Sequence, residues 1–366
     1  MLNVFTKTKP WLVASLVAAS SVFAQQNNKD NCRTPKAPDP MPAPTMAAYN
    51  APSRIDVRGA WDIYADASFI YWQPLQDNME YAIATSATSG MFGTTSAPVS
   101  NTVQNLNPSY KPGFQVGLGM NFDYDNWDSY LHYTWFHNTN TNSSSGIILP
   151  TFGHPAGTTM ATGAGTMFAS ASANWHLKMD LLDWQLARAY YVGTKLTFRP
   201  YFGARAAWIR EKYNVTYTRT AATAATVVSG NKTTNWGIGP EVGMTANYLF
   251  GYGFRVFGDV MGDVLFTRYR VSTTQTNTNG SQTLSIKQSK LNTLRPHTNM
   301  DLGLGWGSYF DNNNWHVDFA ASYCFQAFWD QNMFRRYVDN SMQGDNVNPN
   351  GNLYVQGLNV TARLDF

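Results

Sequence analysis

Apolar and aromatic side chains recur at every second position of this chain, in one segment after another. In the first such segment Trp61, Ile63, Ala65, Ala67, Phe69 and Tyr71 alternate with positions that include Asp62, Asp66 and Ser68. Side chains on an extended strand point to opposite faces in turn, so one face of this segment meets an apolar medium and the other a polar one. The same phase returns in Phe114 to Phe122, Trp236 to Phe250, Phe254 to Phe266, Leu294 to Trp306 and Trp315 to Phe325. Many of these runs begin or end on an aromatic ring. A strand crossing a bilayer needs that pattern, because its apolar band must match the hydrocarbon while amphipathic rings sit at each interface.

Alternation alone also fits a soluble sandwich whose apolar face is a core, so composition and turns have to choose. Only 13% of the 366 residues are charged, about half the ~25% usual in soluble domains. Lys and Arg number 26 against 23 Asp and Glu, which leaves no basic field to hold nucleic acid. The mean hydropathy of −0.32 is too polar for a helical membrane protein. Past residue 24 no apolar run reaches 18 residues, so no transmembrane helix is expected. Short connections at Asp123 to Asn126, Gly193 to Lys195, Gly251 to Gly253 and Asp311 to Asn314 take turns with long Thr/Ser/Asn/Gly-rich stretches near 139–171, 219–232, 272–291 and 330–352. A sandwich has no reason to alternate them, whereas an outer-membrane barrel has short periplasmic turns and long external loops. The fold expected is therefore all-β, a transmembrane antiparallel β-barrel of about 10 strands. If parts of 73–111 and 139–171 are also strands, 12 to 16 become available.

Three regions divide the chain. Residues 1–24 read as a secretory signal peptide, with Lys7 and Lys9 before the apolar stretch Trp11 to Ala19 and small residues before a cut after Ala24. Residues 25–59 are rich in Pro and read as an extended periplasmic segment. Residues 60–366 form the barrel. Two cysteines, Cys32 and Cys324, are too few for a disulfide scaffold and show no metal-ligand spacing, so neither metal nor cofactor is expected and their pairing stays open.

Two segments need separate treatment. Between 172 and 192, Trp175, Leu177, Met179 and Leu181 hold one phase and Leu182, Trp184 and Leu186 the other, which places a β-bulge near Leu181-Leu182. A helix is the alternative there. At the end of the chain Leu358, Val360, Ala362, Leu364 and Phe366 alternate with Asn359, Thr361, Arg363 and Asp365. Such a terminal strand is similar to the signal read by barrel assembly machinery. Val116-Gly117-Leu118-Gly119 and its turn also parallel Leu302-Gly303-Leu304-Gly305 and its turn, as duplicated hairpins would.

The segments Ala65-Asp66-Ala67 through Trp72, Tyr110 through Phe122, Trp127 through Phe136, Arg199-Pro200-Tyr201 through Ile209, Gly237 through Pro240 and Gly351 to Phe366 resemble the legionella-type and chlamydia-like major outer membrane proteins. The resemblance spans the chain after the leader outside its long loops. It implies a pore-forming barrel in the outer membrane of a Gram-negative bacterium. The departure is cysteine content, since strict chlamydial members are cysteine-rich and cross-linked.

On the face opposite the apolar one lie Asp66, Asp128, Glu241, Asp259, Asp263, Asp301, Asp318 and Asp365, against Arg199, Arg205, Arg255, Arg295 and Arg363. In a narrow barrel such groups pair and fill the interior; in a wide one they line water and tune ion selectivity. The resemblance favours the pore-lining role, and the excess of acids then gives a weak cation preference. His132, His297 and His316, scattered over three segments, read as solvated lumen residues. No nucleophile, metalloprotease or phosphate-loop motif is present, so no enzyme is expected. A porin passing ions and small hydrophilic solutes is the leading reading, with a structural or adhesin barrel as alternative and a barrel enzyme third. Expected partners are outer-membrane lipid and lipopolysaccharide, the assembly machinery, the permeating solutes and, for many such barrels, copies of itself in a homo-oligomer.

Overall fold

The computed structural model describes residues 50–58, 61–85, 101–123, 125–153, 168–219, 226–277, 283–337, 346–348 and 350–366. The chain enters β1 (Ile63–Gln76), makes a short hairpin of β2 (Glu80–Thr85) and β3 (Asn101–Asn105), and continues through β4 (Lys111–Asn121), β5 (Trp127–Pro150) and β6 (Phe168–Arg188). After the two-residue β7 (Tyr190–Tyr191) come β8 (Leu196–Thr218), β9 (Thr226–Gly251), β10 (Phe254–Asn277) and β11 (Thr283–Phe310). A 3-10 turn, Asp311–Asn313, leads to β12 (Trp315–Asn332), the small pair β13 (Arg336–Tyr337) and β14 (Asn346–Val347), and the final β15 (Gly351–Asp365).

Ten of these strands close a barrel in the order β1-β4-β5-β6-β8-β9-β10-β11-β12-β15, every neighbour antiparallel. The seam joins the first strand to the last: Tyr64 stands opposite Asp365, and Ile63 and Phe366 exchange backbone bonds of 3.2 and 3.0 Å. Closure satisfies every strand edge, which the bilayer demands of any spanning structure. The tight turns lie at the end that holds Ile63 and Phe366, so that end is periplasmic. Residues 50–58 run across it, bonded from Ser53 N to Ala189 O, from Tyr191 N to Ala51 O and from Arg58 N to Asn313 O. The expected leader and most of the Pro-rich segment lie outside the described residues.

The outward face carries the alternating apolar residues, among them Val242 at 65%, Leu294 at 65% and Leu302 at 67% exposure, open because their solvent is lipid. From Phe254 to Phe266 the band on β10 covers roughly 40 Å along the strand, or about 28 Å of height at a 45° tilt, which matches a hydrocarbon core.

Two expectations are corrected. The bulge at Leu181-Leu182 does not exist: β6 pairs without interruption from Ser170 to Ala187 against β8 and across the same stretch against β5. The apolar phase changes because the apolar surroundings change sides. Trp175, Leu177, Met179 and Leu181 point inward into a buried core, while Leu182, Trp184 and Leu186 point out toward lipid. The described residues of the stretches read as long loops are largely strand. β9, β10 and β11 have 26, 24 and 28 residues, whereas 9–11 tilted residues cross a bilayer. The ladders therefore continue past the outer leaflet, closed by cross-strand Thr, Asn and Gln. The β2–β3 hairpin adds to this upper wall by pairing Ala82–Thr85 with Ile147–Pro150 above the end of β4; it leaves the number of membrane staves at ten. A true bulge sits on β11 at Lys290, which is skipped between the pairs Tyr269↔Leu291 and Arg270↔Ser289 and has a φ of 67°.

Candidate functional site in the lumen

The interior has three layers, built from the inward-facing positions of the strands, every second residue along each. Inward direction is fixed by bonds that skip over a strand, which only the concave side allows.

The lowest layer, near the periplasmic turns, is a set of separate ion pairs. Arg199 on β8 holds Asp128 on β5 with two bonds of 3.2 and 2.5 Å, and Tyr64 donates to the same carboxylate at 3.0 Å. Arg255 on β10 grips Asp318 on β12 with both terminal nitrogens. Arg363 pairs with Asp365 at 2.6 Å and lies over the Tyr64 ring, and His316 reaches the other oxygen of Asp365 at 3.0 Å. Asp66 takes a hydrogen bond from the Tyr130 hydroxyl at 2.9 Å. The Arg199, Arg255 and Arg363 side chains keep 21–30% exposure.

The middle layer centres on Arg205. Its Nε and Nη2 donate to the two oxygens of Asp183 at 2.5 and 2.8 Å, and its Nη1 donates to Asp263 at 3.1 Å; Glu241 stands 3.7 Å away. His297 Nδ1 is 2.7 Å from Asp263, and its ring packs 4.0 Å from that of Phe328. Close approach of the strands that carry this cluster depends on Gly203 and Gly239: a Cβ would lie 1.8 Å from Trp184 O at Gly203 and 2.0 Å from Val264 O at Gly239. Beside this hub Asp259 accepts from Tyr201 at 3.0 Å and Thr245 at 2.6 Å. Asp301 accepts from Asn299, Ser322 and Asn359.

Directly above, polarity reverses within two residues on three strands: Asp183 gives way to Leu181, Arg205 to Ala207 and Asp263 to Leu265, all buried. The upper layer is an apolar plug that includes Trp72, Phe136, Trp175, Ile209, Phe328 and Val355. Burying each large side chain of this kind contributes roughly 1.5–3 kcal/mol. Part of the plug comes from segments between barrel staves, namely Met79 and Tyr81, Phe152, and Phe334. They are latched to the wall by the Tyr213 hydroxyl on Met79 O at 3.0 Å and the Tyr217 hydroxyl on Tyr81 O at 2.6 Å, with Phe152 N donating to Tyr217 at 3.0 Å. Arg336 pairs with Glu80 in the same place. Arg295 belongs to this level, 3.5 Å from Asp330 and over the Tyr269 ring.

All of the charges singled out in the sequence thus lie on the inner face, and Arg205, Glu241 and Asp263 come together in one cluster. Arg199 and Asp128 form a second pair, Arg255 and Asp318 a third. His297 and His316 are buried at 1% and 6% exposure, not solvated as expected, because carboxylates and rings enclose them. Sequence reading passed over Asp183 and Glu211. Asp183 was detectable, since it sits between the outward Leu182 and Trp184; Glu211 lies beyond Trp208, where the lipid-facing signal stops.

A family described as Legionella pneumophila major outer membrane protein precursor matches residues 55–366. No curated protein sequence matches the chain. Among solved structures, a Pseudomonas aeruginosa FadL homologue is 7% identical, covering 83% of this chain and 90% of its own at a TM-score of 0.28. The toluene transporter TodX of P. putida is 8% identical, covering 83% and 89% at 0.28. OmpT, an outer membrane protein of Vibrio cholerae, is 8% identical, covering 83% and 98% at 0.17. Nothing about substrate follows from likenesses at this level.

Proposed function

Because the chain belongs to the Legionella major outer membrane protein family, we propose that this outer-membrane barrel is a gated pore for ions and small hydrophilic solutes, closed in the state described above. One observation carries the reading: the apolar plug is partly made of segments inserted between the staves and held by a few hydrogen bonds, above a lower lumen that is polar and partly solvated. An apolar constriction blocks ions by excluding water, and moving it restores a wet path without unfolding the wall. Asp183 and Glu211 add two inward acids to the eight already named, so the open path should favour cations over anions. The family and the loop-like placement of the plug support a pore more than an enzyme.

The test is planar-bilayer conductance of the wild type and of Tyr217→Phe, which removes one hydroxyl engaged in two latch bonds. At about 0.5–1.5 kcal/mol per bond, the open population should rise at least fivefold. Reversal potentials in a KCl gradient should show cation preference. A second reading, a structural barrel, is favoured by the filled interior; absence of conductance in both proteins would establish it over the pore.

A further inference from the structure

Above the hydrocarbon band, the outer surface of one side of the barrel is covered by cations that the fold itself does not use. The lateral register makes the arrangement explicit. At the top of the lipid band Trp208 on β8 stands opposite Trp236 on β9, and Trp236 opposite Arg268 on β10. Two residues higher, Lys178, Arg210, Thr234 and Arg270 form one continuous row across β6, β8, β9 and β10. Two residues higher again, the row is His176, Lys212, Lys232, Ser272 and Lys287. All of the Lys and Arg side chains in these two rows are exposed.

None of these cations has a hydrogen bond or ion pair among the described residues. On the outward face of β6 and β8 to β11 the described carboxylate is Asp180, and it is already engaged by Tyr133 at 3.0 Å and His137 at 3.5 Å. Lys212 and Lys232 are direct cross-strand partners, an arrangement that destabilises a sheet when the charges are alike. On β12, β15, β1 and β4 the outward positions hold no Lys or Arg. The cations are thus concentrated on one half of the barrel. Their height is one dyad above an aromatic girdle, where headgroups begin.

We propose that this surface, centred on Arg210, Lys212, Lys232 and Arg270, is a docking site for the phosphorylated glucosamine headgroup of lipopolysaccharide in the outer leaflet. The polarity of the barrel places the surface on the external side, because the tight turns and both barrel ends of the chain mark the periplasmic side. The two stacked rows cross four and five strands and span roughly 15 and 19 Å laterally, enough to meet more than one phosphate of one headgroup. Arg supplies paired donors to phosphate oxygens and Lys a point charge, while the Trp208 and Trp236 rings below would face the first carbons of the acyl chains. The site is independent of whether the lumen conducts.

The experiment uses the full chain folded in zwitterionic detergent, titrated with bisphosphoryl lipid A, dephosphorylated lipid A or phosphatidylglycerol. Heat-modifiable migration confirms a folded barrel in every variant. Bisphosphoryl lipid A should bind the wild type at least tenfold tighter than the dephosphorylated form, and R210Q/K212Q/K232Q/R270Q should lose at least tenfold. The charge-keeping variant R210K/K212R/K232R/R270K should retain most of the affinity. Equal binding by the fourfold Gln variant, or by dephosphorylated lipid A, would overturn the site. Equal binding of phosphatidylglycerol at matched phosphate would overturn the assignment to the glycolipid. Should the Gln variant fail to fold, the wild-type comparison between the two lipid A forms still decides the matter.

Discussion

Arg205→Met should be the most destabilising single change in the lumen. The guanidinium makes three charge-assisted bonds, two to Asp183 and one to Asp263, with Glu241 at 3.7 Å, and its side chain is 6% exposed. Removing one partner of a buried pair costs roughly 3–5 kcal/mol, because the remaining charge is left uncompensated. Here three carboxylates share one cation, so the upper end, about 5 kcal/mol, applies. Arg205→Lys keeps the charge but loses the fork and should cost about 1.5–3 kcal/mol, the worth of one charged hydrogen bond. Urea unfolding of the protein in lipid vesicles, followed by tryptophan fluorescence, measures both. The decisive comparison is Asp183→Asn in two backgrounds. It should destabilise the wild type, yet be neutral or stabilising beside Arg205→Met, where it removes a repelling charge. A cost that is the same in both backgrounds, or an Arg205→Met variant within about 0.5 kcal/mol of wild type, would refute the account of the hub.

Leu302→Arg places a cation on the lipid face, where such a change costs about 2–4 kcal/mol near the midplane, and the same unfolding assay should show it. Gly239→Val would drive a side chain against Val264 O and should cost about 1–3 kcal/mol, with weakened heat-modifiability as the simple readout. Deleting Phe366 removes two seam bonds to Ile63 and a ring packed 5.9 Å from Trp315. It also removes the last member of the outward series Leu358, Val360, Ala362, Leu364, so export should continue while folded barrel in the outer membrane falls several-fold by fractionation and blotting.

The lipid-facing half of the molecule was legible because one rule, apolar outward at every second residue, holds there on all ten staves. Legibility failed where the rule inverts. On β6 the switch from Leu181 to Leu182 looks like a slipped register, yet it records the level at which an apolar lumen replaces an apolar bilayer. On β8 the same level separates outward Trp208 from inward Ile209, Tyr213 and Tyr217, and the outward positions become Arg210 and Lys212. The upper walls were hidden by composition: Ser272-Thr273-Thr274-Gln275-Thr276 reads as a loop, although Thr273 and Gln275 point into the interior and Thr273 bonds Asn231 across the ladder at 3.1 Å. Pairing among lumen charges is a matter of which strands face each other across the barrel, and no local pattern carries that.

The extension of the ladders beyond the membrane constrains how the exposed surface of this protein can vary over evolution. Within those walls an inserted residue turns every following side chain from inside to outside, so insertions and deletions should survive in twos, matched on the neighbouring strand. Lys290, squeezed out of register with a positive φ, has the form of one odd residue absorbed in place. Elsewhere on the walls variation is confined to substitution at outward positions, and changes in length belong at the tips.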